Sequence, residues 1–220
     1  PKVLVPMGNV GMWALLGHEK IARWRGSVLP ATLDQHRIGL VAPFLNSSEM
    51  YSVLSEVIKC KVVPTWHPAA VTRQYNLRPV FEKDLAKAKR ETTYPELRYP
   101  QRQIWLDPDR ATAHTLAEKL LASPYIGCDI ETPGGKFYCI GFSCDPSWAL
   151  VMRTDTQWKM DLIRWILESS VPKGGSNFLF DASFLLYHND IDVKNYSYDT
   201  QYVHKLLYPE FKAGLDFQAS

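Results

Sequence analysis

The chain has 220 residues, 46% of them hydrophobic and 22% charged, a core-forming balance that excludes a disordered, collagen-like or coiled-coil protein. No apolar run reaches the roughly 18 residues of a membrane-spanning helix. The net charge of +2 divides unevenly: residues 1–100 carry 14 Lys+Arg against 8 Asp+Glu, and residues 101–220 carry 11 against 15. That split predicts two units, a basic one able to face phosphates and an acidic one able to gather carboxylates around a divalent metal.

In chain order, residues 2–7 read as a short buried strand, Gly8-Asn9 as a turn, and residues 10–16 as a helix stopped by Gly17. A strand is expected around residues 25–29. Met50, Val53, Leu54, Val57 and Ile58 fall at helical spacing within residues 47–58. Residues 62–66 form another apolar strand, broken at His67-Pro68, and residues 79–91 a polar helix opened by Pro79. Lys83, Asp84, Lys87, Lys89 and Arg90 read there as a solvated face. This β-α rhythm predicts residues 1–91 to be an α/β/α layer on a parallel sheet. Trp13, Trp24 and Trp66 are expected in its core.

Residues 92–103, with Pro95, Pro100 and no periodicity, read as a linker to a second unit over 104–220. Asp107-Pro108 is expected to cap a helix running to about residue 122. Residues 125–131, 136–143 and 148–153 read as a strand followed by two more in an antiparallel meander. Helices are predicted over 156–169, 178–187 and 198–207, with a break at Lys173-Gly174-Gly175. The class expected is α/β, with a mixed sheet covered by helices.

Cys60, Cys128, Cys139 and Cys144 show neither C-x-x-C nor metal-ligand spacing, so reduced thiols in a cytoplasmic protein are expected, without an iron–sulfur cluster. The start at Pro1 lacks an initiator Met and a signal peptide, which predicts a piece of a longer protein.

The most informative segment is Cys128-Asp129-Ile130-Glu131-Thr132. Carboxylates at i and i+2 of a strand point to one face, with Cα atoms roughly 6.6 Å apart. On an otherwise apolar strand they repel and cost desolvation energy unless cations neutralise them, and hard oxygen ligands suit Mg²⁺ or Mn²⁺. Asn177 and Asp181, at i and i+4 of a predicted helix, would share one face and could complete the set. The plainer alternative is that Asp-x-Glu and Asn-x-x-x-Asp are solvated surface pairs, and Asp199 a structural residue.

These segments resemble the first two motifs of the DEDD 3′–5′ exonucleases, in particular the proofreading domain of family A DNA polymerases, over about residues 103–220. Tyr198-Asp199-Thr200, Leu206-Leu207-Tyr208-Pro209 and Gly214-Leu215-Asp216-Phe217 resemble the run toward the third motif. The resemblance implies a ribonuclease H-like mixed-sheet domain using two metal ions. It implies Asp129, Glu131 and Asp181 as catalytic metal ligands, Asn177 as a DNA-binding residue, and a single-stranded DNA 3′ end as substrate. The third motif, a Tyr or His followed four residues later by an Asp, is expected beyond Ser220, as is a polymerase domain.

In the first half, His67-Pro68-Ala69-Ala70 precedes Arg73. A His at the carboxyl edge of an α/β sheet stands where such sheets bind ligands, small residues admit a close backbone, and Arg73 can reach a phosphate. With Met7-Gly8-Asn9 and Arg25-Gly26, this segment resembles the carboxyl-terminal part of family 4 uracil-DNA glycosylases. The resemblance implies His67 as electrophilic donor, Ala69, Ala70 and Arg73 as a DNA-contacting loop, and uracil-containing DNA as ligand. The alternatives are a satisfied histidine beside a structural Pro, and a non-catalytic DNA-binding or interaction module.

Overall fold

The computed structural model describes residues 2–41, 43–44 and 46–218. It divides in sequence between Tyr99 and Pro100 into two compact units. No helix among the described residues is long and apolar enough to cross a membrane.

Unit 1 contains β1 (Val3–Leu4), α1 (Gly8–Leu16), α2 (Ile21–Trp24), β2 (Leu29–Pro30), α3 (Gln35–Val41), α4 (Ser47–Val57), β3 (Lys61–Val62), α5 (Pro68–Arg73) and α6 (Arg78–Glu91). Gly17 ends α1 in the left-handed region, at φ 69°, which costs glycine no Cβ clash. Asn46 and Glu49 form a reciprocal capping box at the start of α4. Met12, Leu16, Ile21, Ala31 and Val62 form the core, with Trp24 and Trp66 packed against it. Trp13 instead lines a surface cavity with Asn9, Val10, Glu19 and Lys20.

The sheet order is β1-β3-β2, with β1 parallel to β3 and β2 antiparallel to it. The expected parallel sheet is therefore corrected to a short mixed one. The chain turns at Gly26, whose N–H donates to the Pro64 carbonyl at 2.8 Å, and β2 then returns along β3 in the opposite sense. Pro30, unable to donate to a ladder, sits on the outer strand.

The polar face expected on α6 is corrected at Asp84, which faces inward with Val80 and Ala88 at four-residue spacing, while Lys89 and Arg90 are exposed. Asp84 is 1% exposed. Arg25 reaches both of its oxygens, and the Thr65 hydroxyl donates to Oδ2 at 2.9 Å. Lys61, 2% exposed, is likewise satisfied: its Nζ donates to Glu91 and to the Tyr94 carbonyl, both at 2.9 Å.

Unit 2 contains β4 (Gln103–Leu106), α7 (Arg110–Leu121), β5 (Ile126–Glu131), β6 (Cys139–Asp145), β7 (Trp148–Arg153), α8 (Gln157–Leu167), β8 (Lys173–Gly175), α9 (Phe178–Asn189), β9 (Tyr196–Asp199), α10 (Thr200–Leu207) and α11 (Leu215–Gln218). The sheet order is β4-β7-β6-β5-β8-β9. Only β6 runs against the other strands, which gives the expected mixed sheet. Alternation along β5 buries Ile126, Cys128 and Ile130 among Ala113, Ala117 and Leu120 of α7 and Leu162, Ile163 and Ile166 of α8.

Four expectations are corrected here. β4, which shares only Gln103 with the expected linker, is an outer strand parallel to β7 where no element was expected. The cap of α7 is Asp109 rather than Asp107, its side chain accepting from Thr112 N–H at 3.0 Å. Asp107, at φ 48°, is instead paired with Lys159 at 2.7 Å and with Arg153. Lys173-Gly174-Gly175 is no break but β8, parallel to both β5 and β9. A Cβ on Gly174 would overlap the Tyr198 carbonyl, and one on Gly175 the Cys128 carbonyl, so glycine sets the spacing of these strands. Finally, β9 precedes α10, so the helix begins at Thr200 and not at Tyr198.

Candidate active site

Asp129 and Glu131 leave the same face of β5, both exposed, while Ile130 between them is buried. Across the ladder Asp129 faces Gly141, which has no side chain, and Glu131 faces Cys139. Space beside Asp129 is thus built into the neighbouring strand.

Asp181 lies in the first turn of α9 and is 4% exposed. Its Oδ2 is buried without a hydrogen-bond partner. Burial, then the charges of Asp129, Asp199 and Glu131, push its carboxyl up to about 7. Burial and the Glu131 charge raise Asp129 as well, and burial followed by the Glu131 and Asp129 charges raises the Cys139 thiol. The charges of Asp129 and Glu131 thus reach Asp181 and oppose its ionisation.

As they stand, no three His, Cys, Asp or Glu side chains among the described residues converge closely enough to hold an ion. The donor set nevertheless fits a hard divalent cation: the three carboxylates supply only oxygen, and Asp181 presents a buried acceptor with no protein donor. A cation would relieve both the desolvation and the repulsion.

Asn177 departs from its expected place. It precedes α9 in the left-handed region, at φ 59°, and so does not share a helical face with Asp181. Its backbone N–H donates to Asp199 Oδ1 at 3.0 Å. Asp199, 5% exposed, also receives Phe178 N–H at 2.7 Å and Gln201 N–H at 2.8 Å. One carboxylate therefore closes the N-termini of both α9 and α10. Asp199 is structural, as expected, but it caps α10 from outside the helix rather than lying within it, and its reach to α9 had no local signature.

In unit 1, His67 is the exposed N-cap of α5, and its Nδ1 accepts from Ala69 N–H at 3.1 Å. Ala69, Ala70 and Arg73 belong to that helix, which corrects the expected contact loop: Pro68, with its fixed φ, starts the first turn. A Cβ on Gly8 would come within 3.1 Å of His67 Cβ, so β1's exit packs tightly on the imidazole stem. Arg73 is exposed in the last turn. None of Cys60, Cys128, Cys139 and Cys144 is in a disulfide among the described residues.

No protein-family model and no curated protein matches the chain. Among solved structures it is similar to Trypanosoma brucei RNase D, at 11% identity and a TM-score of 0.39, covering 44% of this chain and 37% of that one. It is similar to the same RNase D in complex with RNA U12, at 10% identity and a TM-score of 0.39, covering 50% and 48%. The EXD2 exonuclease domain soaked in Mn and GMP is similar at 16% identity and a TM-score of 0.39, covering 51% and 62%. The chain spans between about a third and two thirds of the length of these structures.

Proposed function

We propose that unit 2 is a metal-dependent nuclease of the 3′–5′ exonuclease type, acting on single-stranded DNA ends as a proofreading domain does. One observation carries the reading: Asp181, whose Oδ2 is buried without a partner, is repelled by two exposed carboxylates on one strand face. Asp129, Glu131 and Asp181 would hold Mg²⁺ or Mn²⁺, which supplies water activation and stabilisation of the leaving 3′-oxygen. Asp181 is fixed from the core side by α9, and Asp129 and Glu131 form the rim accessible to a nucleic-acid end. Asn177, just outside α9, would steady a strand entering that rim. For unit 1, the capping bond uses His67 Nδ1 as the acceptor and leaves Nε2 to donate, so a non-catalytic DNA-touching module and a glycosylase remain the two readings there.

The test is a 5′-labelled single-stranded DNA containing one uracil, with a matched RNA arm, incubated with Mg²⁺, Mn²⁺ or EDTA, alongside a Mn²⁺ titration of the protein. Metal-dependent shortening from the 3′ end, lost in Asp129→Ala and Asp181→Ala, is expected. Mn²⁺ binding indifferent to both substitutions overturns the reading. Strand breaks at uracil that need no metal and vanish in His67→Ala would select the glycosylase.

A further inference from the structure

We infer that Asp199 is a positioning residue for Asp181, an inference that rests on the nuclease reading of the site. Its two oxygens have divided duties. Oδ1 accepts from Asn177 N–H at 3.0 Å, Gln201 N–H at 2.8 Å and Tyr202 N–H at 3.4 Å. Oδ2 accepts from Phe178 N–H at 2.7 Å and from the Tyr196 hydroxyl at 3.4 Å. The first N–H groups of a helix have no partners within it, and here one buried carboxylate from β9 supplies them for two helices.

Asp181 sits three residues after Phe178, in the turn so held. Asn177 offers α9 no side-chain cap, which leaves Asp199 as the group that fixes where the helix begins. β9 in turn is seated on β8 through Gly175↔Asp199, and β8 on β5 through Gly127↔Gly174. The strand bearing Asp129 and Glu131 is thus linked, through two glycine-spaced strands and one carboxylate, to the helix bearing Asp181. That linkage sets the separation of the metal-binding groups.

Asp199→Asn separates the two duties. An amide that keeps its oxygen at Oδ1 still caps α10, but points an NH₂ at Phe178 N–H, donor against donor. Amide hydrogen exchange of the metal-free protein should then quicken by about fivefold or more at residues 177–181, as loss of one cap predicts. Residues 200–204 should stay at the wild-type rate. Mn²⁺ binding should weaken by about 10- to 100-fold, the range for removing a group that orients a ligand. Leu150→Ala, a core truncation in the same sheet, serves as the control: it should lower Tm without singling out residues 177–181 or changing Mn²⁺ affinity well below Tm.

Exchange that quickens equally at both helix starts, or Mn²⁺ affinity within about twofold of wild type, overturns the inference. Wild-type protein that binds no Mn²⁺, while Asp199→Asn shows the localised exchange pattern, overturns the nuclease reading and leaves the mechanical link between Asp199 and α9 standing.

Discussion

Asp84 and Asp181 are both buried, at 1% and 4% exposure, yet the two units treat them in opposite ways. In unit 1 the cost of burying a carboxylate is offset from within, by Arg25 on both oxygens and Thr65 on one. In unit 2 Asp181 has an oxygen with no donor and faces other acids rather than a base. A buried charge whose needs are met is structure, whereas one left in deficit marks where something from outside belongs. The contrast sets an internally satisfied aspartate against one that the proposed function uses as a metal ligand.

The strongest way to break that contrast is to neutralise each residue. Asp181→Asn should abolish Mn²⁺ binding and metal-dependent digestion, yet stabilise the metal-free protein at pH 8 by removing a repelled charge; thermal melts with and without Mn²⁺ read both effects. Asp84→Ala should do the reverse in unit 1, lowering stability by about 3–5 kcal/mol, as breaking a buried ion pair does, with the loss read by urea unfolding. If Asp84→Ala proves neutral and Asp181→Asn destabilising, the contrast fails.

Two smaller effects set its scale. Gly174→Ala should cost about 1–3 kcal/mol through overpacking against β9, measured by the same unfolding titration. Asn46→Ala, which removes half of the α4 capping box, should cost about 1 kcal/mol in unit 1.

Acidity sharpens the same comparison through its sign. Asp181 is raised from 3.8 to about 7, so the folded state holds its proton more tightly than the unfolded state does. Its contribution to stability is full below pH 3.8 and is lost as pH rises through about 7. Asp107 runs the other way: burial alone would raise it, but hydrogen bonds from Lys159 and Arg153 hold it at about 2. Its stabilisation is present above pH 3.8 and is lost as pH falls through about 2. Metal-free melts across pH 4–8 should therefore show stability declining toward pH 8, a decline that Asp181→Asn removes.

The sequence disclosed what short-range pattern encodes. Alternation along β5 put Asp129 and Glu131 on one face, and Gly17 and Pro79 marked a helix end and a helix start. What escaped it depends on distant partners. Asp84 hid in a lysine-rich run because Arg25, 59 residues away, is what draws it inward. The Lys-Gly-Gly of β8 has the composition of a turn, yet its glycines are needed because β9 and Phe178 press against them. Asp107 looked like the cap of α7 until Arg153 and Lys159 claimed its carboxylate, leaving the role to Asp109. Asn177 satisfied the i, i+4 pattern on paper, but a left-handed residue ahead of α9 takes it off the helix face.

The outer strand β4 carries a practical consequence. It is fastened to β7 by Gln103 N–H on the Ser147 carbonyl and Asp107 N–H on the Val151 carbonyl, both at 2.8 Å. A truncation starting at Asp109 would look clean, since it keeps α7 and its cap. It would also strip β7 of its neighbour and leave Trp148–Arg153 as an open, largely apolar strand edge, free to zip onto the same edge of another molecule. Starting the piece at Pro100 retains the shield, so self-association of the shorter piece and solubility of the longer one should differ by no more than these nine residues.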